Sequence, residues 1–288
     1  MPEKDPADYR PRSEPSSARP VALVLAAAAA AGAAWWFWWR PAQVPEPPAP
    51  VAAPAAQPAS APQVQASGPQ NPVEALEPAG ADLPALQASD AYVEQALAAL
   101  LGREKAASFL QLDGFVRRAV ATVDNLPRAQ APARLWPVQP MPQRFTVEGG
   151  AIAPANAARY GAFVAFAEAV PLDAAVKLYA RLYPLFQAAY EELGYPRKYF
   201  NDRLVAVLDH LLAAPQPAQP VAVQLVQVEG EVPSTRPWVR YEFADPQLQA
   251  LSSGQKILVR MGPDNARRLH AVLAELRRRV ATGAVPRP

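Results

Sequence analysis

LDAAVKLYARLYPLFQAAYEEL, residues 172–193, places Leu172, Val176, Tyr179, Leu182, Tyr183, Phe186, Tyr190 and Leu193 at intervals of three and four. That spacing gathers side chains on one face of an α-helix. An apolar stripe of this length must be covered by other elements, so the chain builds its core around helices. Gly194 and Pro196 end the segment. Pro184 lies inside it and removes a hydrogen bond to Ala180, which predicts a kink or two consecutive helices.

Toward the C-terminus, Tyr199 to Ala213 is apolar on more than one side through Phe200, Leu204, Val205, Val207, Leu208, Leu211 and Leu212, as suits a helix central to a core. Val221 to Val228 and Trp238 to Phe243 read as strands of a hairpin that could pair with a short strand at Arg144–Glu148. Pro246 to Met261 and Pro263 to Val280 read as helices divided by Gly262-Pro263. Toward the N-terminus, Ser89 or Asp90 caps a helix carrying Val93, Ala96, Leu97 and Leu100, with Gly102 as its stop. A second helix places Leu112, Phe115, Val116, Ala119, Val120 and Val123 together and ends at Asp124-Asn125-Leu126-Pro127. A further helix follows Pro154. Residues 89–281 are thus expected to be one domain, mainly α with a small antiparallel β-sheet (α+β), followed by a flexible tail at 282–288.

Upstream the composition changes. Pro20 to Trp39 runs uncharged between Arg19 and Arg40 and closes on Trp35, Trp36, Phe37, Trp38 and Trp39. Twenty helical residues reach about 30 Å, the thickness of a bilayer's hydrocarbon core, and tryptophans favour its interface. The residues at 20–40 are therefore expected to be a single transmembrane helix, with Trp35, Trp36, Trp38 and Trp39 at the membrane interface and the bilayer as a partner. A cleavable signal peptide is the competing reading, with Ala33 and Ala34 near a cleavage site, but five large aromatics directly beyond favour an uncleaved anchor. Lys4, Arg10, Arg12 and Arg19 precede the span, whereas after Arg40 no basic residue occurs before Arg103. This asymmetry predicts a cytoplasmic tail at 1–19 and a periplasmic domain on the inner membrane. From Pro41 to Pro72, ten of 32 residues are proline and Glu46 is the sole charge. The stretch 41–88 is expected to be a disordered linker, reaching between about 30 Å as a coil and about 100 Å when extended.

The chemistry is sparse. The chain has no cysteine, so disulfides, thiolate metal clusters and cysteine nucleophiles are excluded. With 28 basic against 26 acidic residues, the charge balance gives no reason to expect nucleic acid as a partner. Only two histidines, His210 and His270, are present, and no zinc motif, nucleophile elbow, phosphate loop or dinucleotide fingerprint occurs. No cofactor and no metal are expected. The best candidate recognition surface is Tyr199, Asn201, Asp202 and Arg203, beside Tyr195 and Phe200, where aromatic area meets directional polar groups at a helix start. The competing reading makes Asn201 and Asp202 caps of the first helical turn, with Arg203 paired locally. Two carboxylates among Glu191, Glu192, Asp202 and Asp209 would serve a hydrolase if one cleft held them at the right separation. Arg267, Arg268, Arg277, Arg278, Arg279 and Arg287 give the C-terminal helix a basic bias, suited to an anionic partner or to the helix dipole.

Several phrases together resemble the bacterial family catalogued as domain of unknown function 3014: ATVDNLPR at 121–128, LYPLFQAAYEELGYP at 182–196, YFNDRLV at 199–205, YEFADPQL at 241–248 and GQKILVRMGPDNA at 254–266. The resemblance covers Asp90 to Val280 and includes the layout of anchor, proline-rich linker and domain. It implies a domain identity and transfers no catalytic residue. The expectation is therefore a single-pass inner-membrane protein that presents a helical domain on the periplasmic side as a non-catalytic binding or scaffold module for an envelope protein or polymer. A carboxylate hydrolase of cell-envelope material is the alternative, and an assembly factor that oligomerises through the domain is a third reading.

Overall fold

A computed structural model describes residues 68–76, 82–217, 219–227 and 236–283, all within the unit Gln63–Pro288. In chain order the elements are α1 (Asp90–Leu101), α2 (Arg103–Phe109), α3 (Phe115–Asn125), β1 (Val147–Glu148), β2 (Ala151–Ile152), α4 (Asn156–Glu168), α5 (Leu172–Glu192), α6 (Phe200–Leu212), β3 (Val223–Leu225), β4 (Tyr241–Phe243), α7 (Pro246–Gln249), α8 (Ser253–Arg260) and α9 (Pro263–Val280). Short 3₁₀ turns at Val73–Ala75 and Leu86–Ala88 precede α1.

The stripe of α5 is the axis of the core, and Pro184 is accommodated within one helix. Leu178, Leu182, Leu185, Phe186, Ala189 and Tyr190 are buried against Val93 and Leu97 of α1, Val116 and Val120 of α3, and Phe200 of α6. Burying each large aliphatic or aromatic side chain contributes about 1.5–3 kcal/mol, which is why this stripe sets the positions of the other helices. Phe186 and Phe200 stack with ring centroids 5.8 Å apart, so the first turn of α6 is fixed to the middle of α5. The other side of α6 buries Val207 and Leu211 against Leu258 and Met261, with Leu269 and Leu273 of α9 packed alongside. α6 is thus covered on two sides, as its composition demands.

The expected fold class needs correction. Among the described residues no helix is long and apolar enough to cross a membrane. What the structure supports for the described residues is a mainly helical α+β domain with two small antiparallel sheets. The expected span at 20–40, with Trp35, Trp36, Trp38 and Trp39, lies outside the described residues, as do the tail at 1–19, residues 41–67 and 77–81 of the linker, and residues 284–288. The single small sheet also becomes two. β1 pairs with β2 and β3 with β4, each antiparallel, and an isolated bridge from Ala151 to Ala222 links the pairs. The strand expected at Arg144–Glu148 turns back on itself at Gly149-Gly150, both at positive φ, before it can meet the hairpin directly.

Two boundaries differ for identifiable reasons. Gly102, at φ 86°, stops α1, yet α2 begins at the next residue, so the chain changes direction without a loop. The helix expected over Pro246–Met261 divides into α7 and α8. Asp245 accepts the N–H of Gln247 at 2.7 Å to start the first, and Ser252 forms a reciprocal capping box with Gln255 to start the second. The start of α8 then docks on the turn after α3, where Leu126 O accepts Gly254 N–H at 2.9 Å and Arg128 O accepts Ser253 N–H at 2.8 Å.

That docking requires glycine at 254. A Cβ there would lie 2.5 Å from Leu211 Cδ2 and 3.1 Å from the Leu126 carbonyl oxygen. Gly254→Ala is expected to lower the unfolding free energy by about 1–3 kcal/mol, measured by urea denaturation, because one contact is with backbone that cannot yield easily.

Candidate functional site

The turn from Gly194 to Tyr199 delivers the chain to α6. Tyr199 takes the N-cap position and makes no side-chain cap. The free N–H groups of the first turn are met from α5 instead: Gln187 Oε1 accepts the Phe200 N–H at 2.9 Å, and the Tyr183 hydroxyl accepts that of Asn201 at 3.5 Å. This frees Asn201 and Asp202 from capping, and both reach across the fold.

Asn201 is fully buried. Its Nδ2 donates to the carbonyls of Asn71 at 2.9 Å and Val280 at 3.0 Å, and its Oδ1 accepts from the Tyr179 hydroxyl at 3.2 Å. Asp202 accepts the backbone N–H groups of Gln70 at 3.0 Å and Asn71 at 2.7 Å, together with the Asn71 side-chain amide at 3.1 Å. Arg203 turns the other way. Its Nε donates to Asp124 Oδ1 at 3.1 Å and its Nη2 to the Asp124 carbonyl at 2.9 Å. Asp124, 2% exposed, also accepts from Arg128 at 2.5 Å and from the Tyr195 hydroxyl at 3.3 Å. The short bond to Asp124 raises the Arg128 pKa further above its ordinary value.

These groups border a cavity of about 380 Å³ whose walls include Tyr195, Arg197, Lys198, Tyr199, Asp202 and Arg203. Tyr195 stacks on Tyr190 at 4.6 Å, and Lys198 Nζ lies 5.4 Å from the Tyr195 ring centroid. Asp124 is held by two guanidinium groups and a phenol, and Asp202 by N–H groups, so both carboxylates are engaged in hydrogen bonds within the fold. The groups left to meet a ligand are Arg197, Lys198 and the exposed Tyr199. Of the four residues singled out by sequence, the structure brings Tyr199, Asp202 and Arg203 to the cavity and places Asn201 behind it in the core.

Asp124 was missed as a site residue, although a signal existed. It follows Val116 and Val120 at intervals of four, and a carboxylate on an apolar helix face must find partners inside. The other candidates are dispersed. Asp209 pairs with Arg277 at 2.8 Å, Glu192 with Arg117 at 3.0 Å, and Glu191 accepts from Gln187 at 2.9 Å. The basic bias of α9 is largely matched: Arg267 meets Asp264, Arg268 meets Glu168, Arg278 meets Glu275 and Arg279 meets Asp173. Arg287 lies outside the described residues. His210 shares a hydrogen bond with Ser252 at 2.9 Å and His270 donates to the Leu212 carbonyl at 2.8 Å, so both are structural. Among the described residues no three His, Asp or Glu gather as a metal cluster.

A family model described as protein of unknown function (DUF3014) matches residues 115–277, more than half of the chain. The match contains α3, α5, α6 and most of α9, and therefore every cavity residue from Asp124 to Arg203. No curated protein matches the chain, and no solved structure does.

Two outcomes test the geometry. Asp124→Ala leaves Arg203 without its partner inside the fold and is expected to cost about 3 kcal/mol in denaturant unfolding, toward the lower end for a buried pair because Arg128 is largely exposed. Burial pushes the Tyr183 hydroxyl from 10.0 up to about 12. A folded-state pKa above the unfolded value means that this contribution to stability is complete below pH 10 and lost as pH rises toward 12. Denaturation midpoints measured across that window should fall in the native protein and fall less steeply in Tyr183→Phe.

Proposed function

The chain belongs to the family described as protein of unknown function (DUF3014), and we propose that its folded domain is a non-catalytic binding or scaffold module whose contact surface is the cavity at the start of α6. The observation that carries this reading is the division of labour around the cavity. Asp124, Asp202 and Arg203 are consumed in holding its walls, while Arg197, Lys198 and Tyr199 are left outward on a rigid helix start. Concave sites on rigid elements with a few convergent polar groups suit recognition. Locked carboxylates do not suit acid-base work. A hydrolase would need two available carboxylates in one cleft; the two that line this cavity, Asp124 and Asp202, are engaged in holding its walls, and Asp209, Glu191 and Glu192 are each held by other partners.

The proposal includes placement on the periplasmic side of the inner membrane, with an envelope protein or polymer as partner. This part is supported by the basic residues that precede Pro20 and by no described helix.

Capture experiments test the reading. Lys198→Ala and Tyr199→Ala are expected to reduce retention of a partner from a periplasmic extract about tenfold while shifting stability by less than about 0.5 kcal/mol, as substitutions at exposed sites do. Unchanged capture by both variants would overturn it. Asp202→Ala separates the structural role: losing the acceptor for Gln70 and Asn71 is expected to cost about 1–3 kcal/mol and to speed amide exchange at residues 70–73.

A further inference from the structure

Trp136 Nε1 and Arg240 Nε are buried, and neither has a hydrogen-bond partner among the described residues. Native proteins keep few such groups, because a buried donor left unpaired forfeits the hydration it had in the unfolded chain. Both residues line one cavity of about 670 Å³ bounded by the 129–136 turn, β4 and the outer face of α8. Two further cations line it from α8, Lys256 and Arg260, four residues apart and so on one helix face. Arg260 is held by the Tyr241 carbonyl at 3.1 Å, with its guanidinium 5.0 Å from the Phe243 ring centroid. Burial lowers the pKa of both Lys256 and Arg260, and the Arg260 charge lowers that of Lys256 further. Among the described lining residues Glu242 is the one carboxylate, and its charge acts on Lys256 and Arg260.

Two unsatisfied donors beside the cations Arg240, Lys256 and Arg260 favour an acceptor that carries negative charge. The space is far larger than an inorganic ion, since a water molecule takes about 30 Å³. The rest of the wall includes the apolar side chains of Val226, Val239 and Ile257. We propose that this cavity binds an organic oxyanion, a phosphate or carboxylate head on a small apolar or aromatic body. The head accepts from the Trp136 indole and the Arg240 guanidinium, and the body lies against Ile257 and its apolar neighbours. This site is separate from the cavity at the start of α6, and neither proposal rests on the other.

Isothermal titration calorimetry on the full-length chain tests it with four probes: phenyl phosphate, benzoate, inorganic phosphate and the neutral benzyl alcohol. Binding of phenyl phosphate or benzoate, with benzyl alcohol silent, is expected, and the tighter of the two identifies the head. Trp136→Phe, which keeps the ring and removes the donor, and Arg240→Met should each weaken binding about tenfold or more, the loss of one good charge-assisted contact. Tyr92→Ala, exposed on α1, should leave it unchanged. Should Trp136→Phe fail to fold, Arg240→Met and Arg240→Lys decide the matter, since lysine keeps the charge but lacks the Nε donor. Silence of both phenyl phosphate and benzoate, binding of inorganic phosphate alone, equal binding of benzyl alcohol, or an unchanged affinity in Arg240→Met would each overturn the proposal.

Discussion

The side-chain amide of Asn201 holds together three parts of the chain that are far apart in sequence. It ties the segment before the first helix, through the Asn71 carbonyl, to the end of the last helix, through the Val280 carbonyl, with Tyr179 of α5 as the third corner. A buried amide has no alternative to these partners, because water cannot reach it and an unpaired amide in the core is costly. The surrounding contacts follow from this one. Thr282 donates to the Pro72 carbonyl, and Gly283 donates to the Asn71 side chain, so both ends of the domain close over the start of α6. Asp202 can then grip Gln70 and Asn71 only because Asn201 has brought them within reach.

The same constraint explains why the cavity has rigid walls. Successive residues on a helix diverge by about 100°, so Asn201, Asp202 and Arg203 point in three directions. Asn201 takes the end of α9 and shares the upstream segment with Asp202, whereas Arg203 takes the end of α3 through Asp124. The helix start can spend its side chains this way because Gln187 supplies the N-cap function from α5. A local Asn or Asp cap at 199 would have accepted the N–H of Asn201 or Asp202 and made no link to α5.

The helices were legible where one residue pattern sufficed. The stripe of α5, the two-sided apolar surface of α6 and the Gly262-Pro263 break before α9 all follow from spacing and stop signals. The pattern left more open where two short-range signals competed. Pro184 carries a helix-breaking signal, yet the buried stripe on both sides of it, from Leu178 to Tyr190, outweighs one missing hydrogen bond. Ser252 and Gln255 spell a capping box inside what read as one continuous helix, and the capped start prevailed because Gly254 must meet Leu126. For the site, sequence located the helix start but not the roles. Residue type gives the hydrogen-bonding capacity of Asn201 and Asp202, whereas the choice between a local cap and partners some 130 residues away is made by α5, which no local window contains.

Asp124 shows how much of such a site is encoded at a distance. Its carboxylate is on the apolar face of α3, where burying a charge without partners is costly. Arg128 comes from the same helix end, Arg203 from α6 and Tyr195 from the turn between α5 and α6. The ion cluster thus welds α3 to the turn after α5, which the apolar stripe holds only at its end, through Tyr190 stacked on Tyr195. Tyr195 joins the two, its ring in the apolar packing and its hydroxyl in the ion cluster at the rim of the cavity. The outward cations Arg197 and Lys198 therefore stand on a turn whose two flanks are anchored by different forces, apolar packing on one side and paired charge on the other.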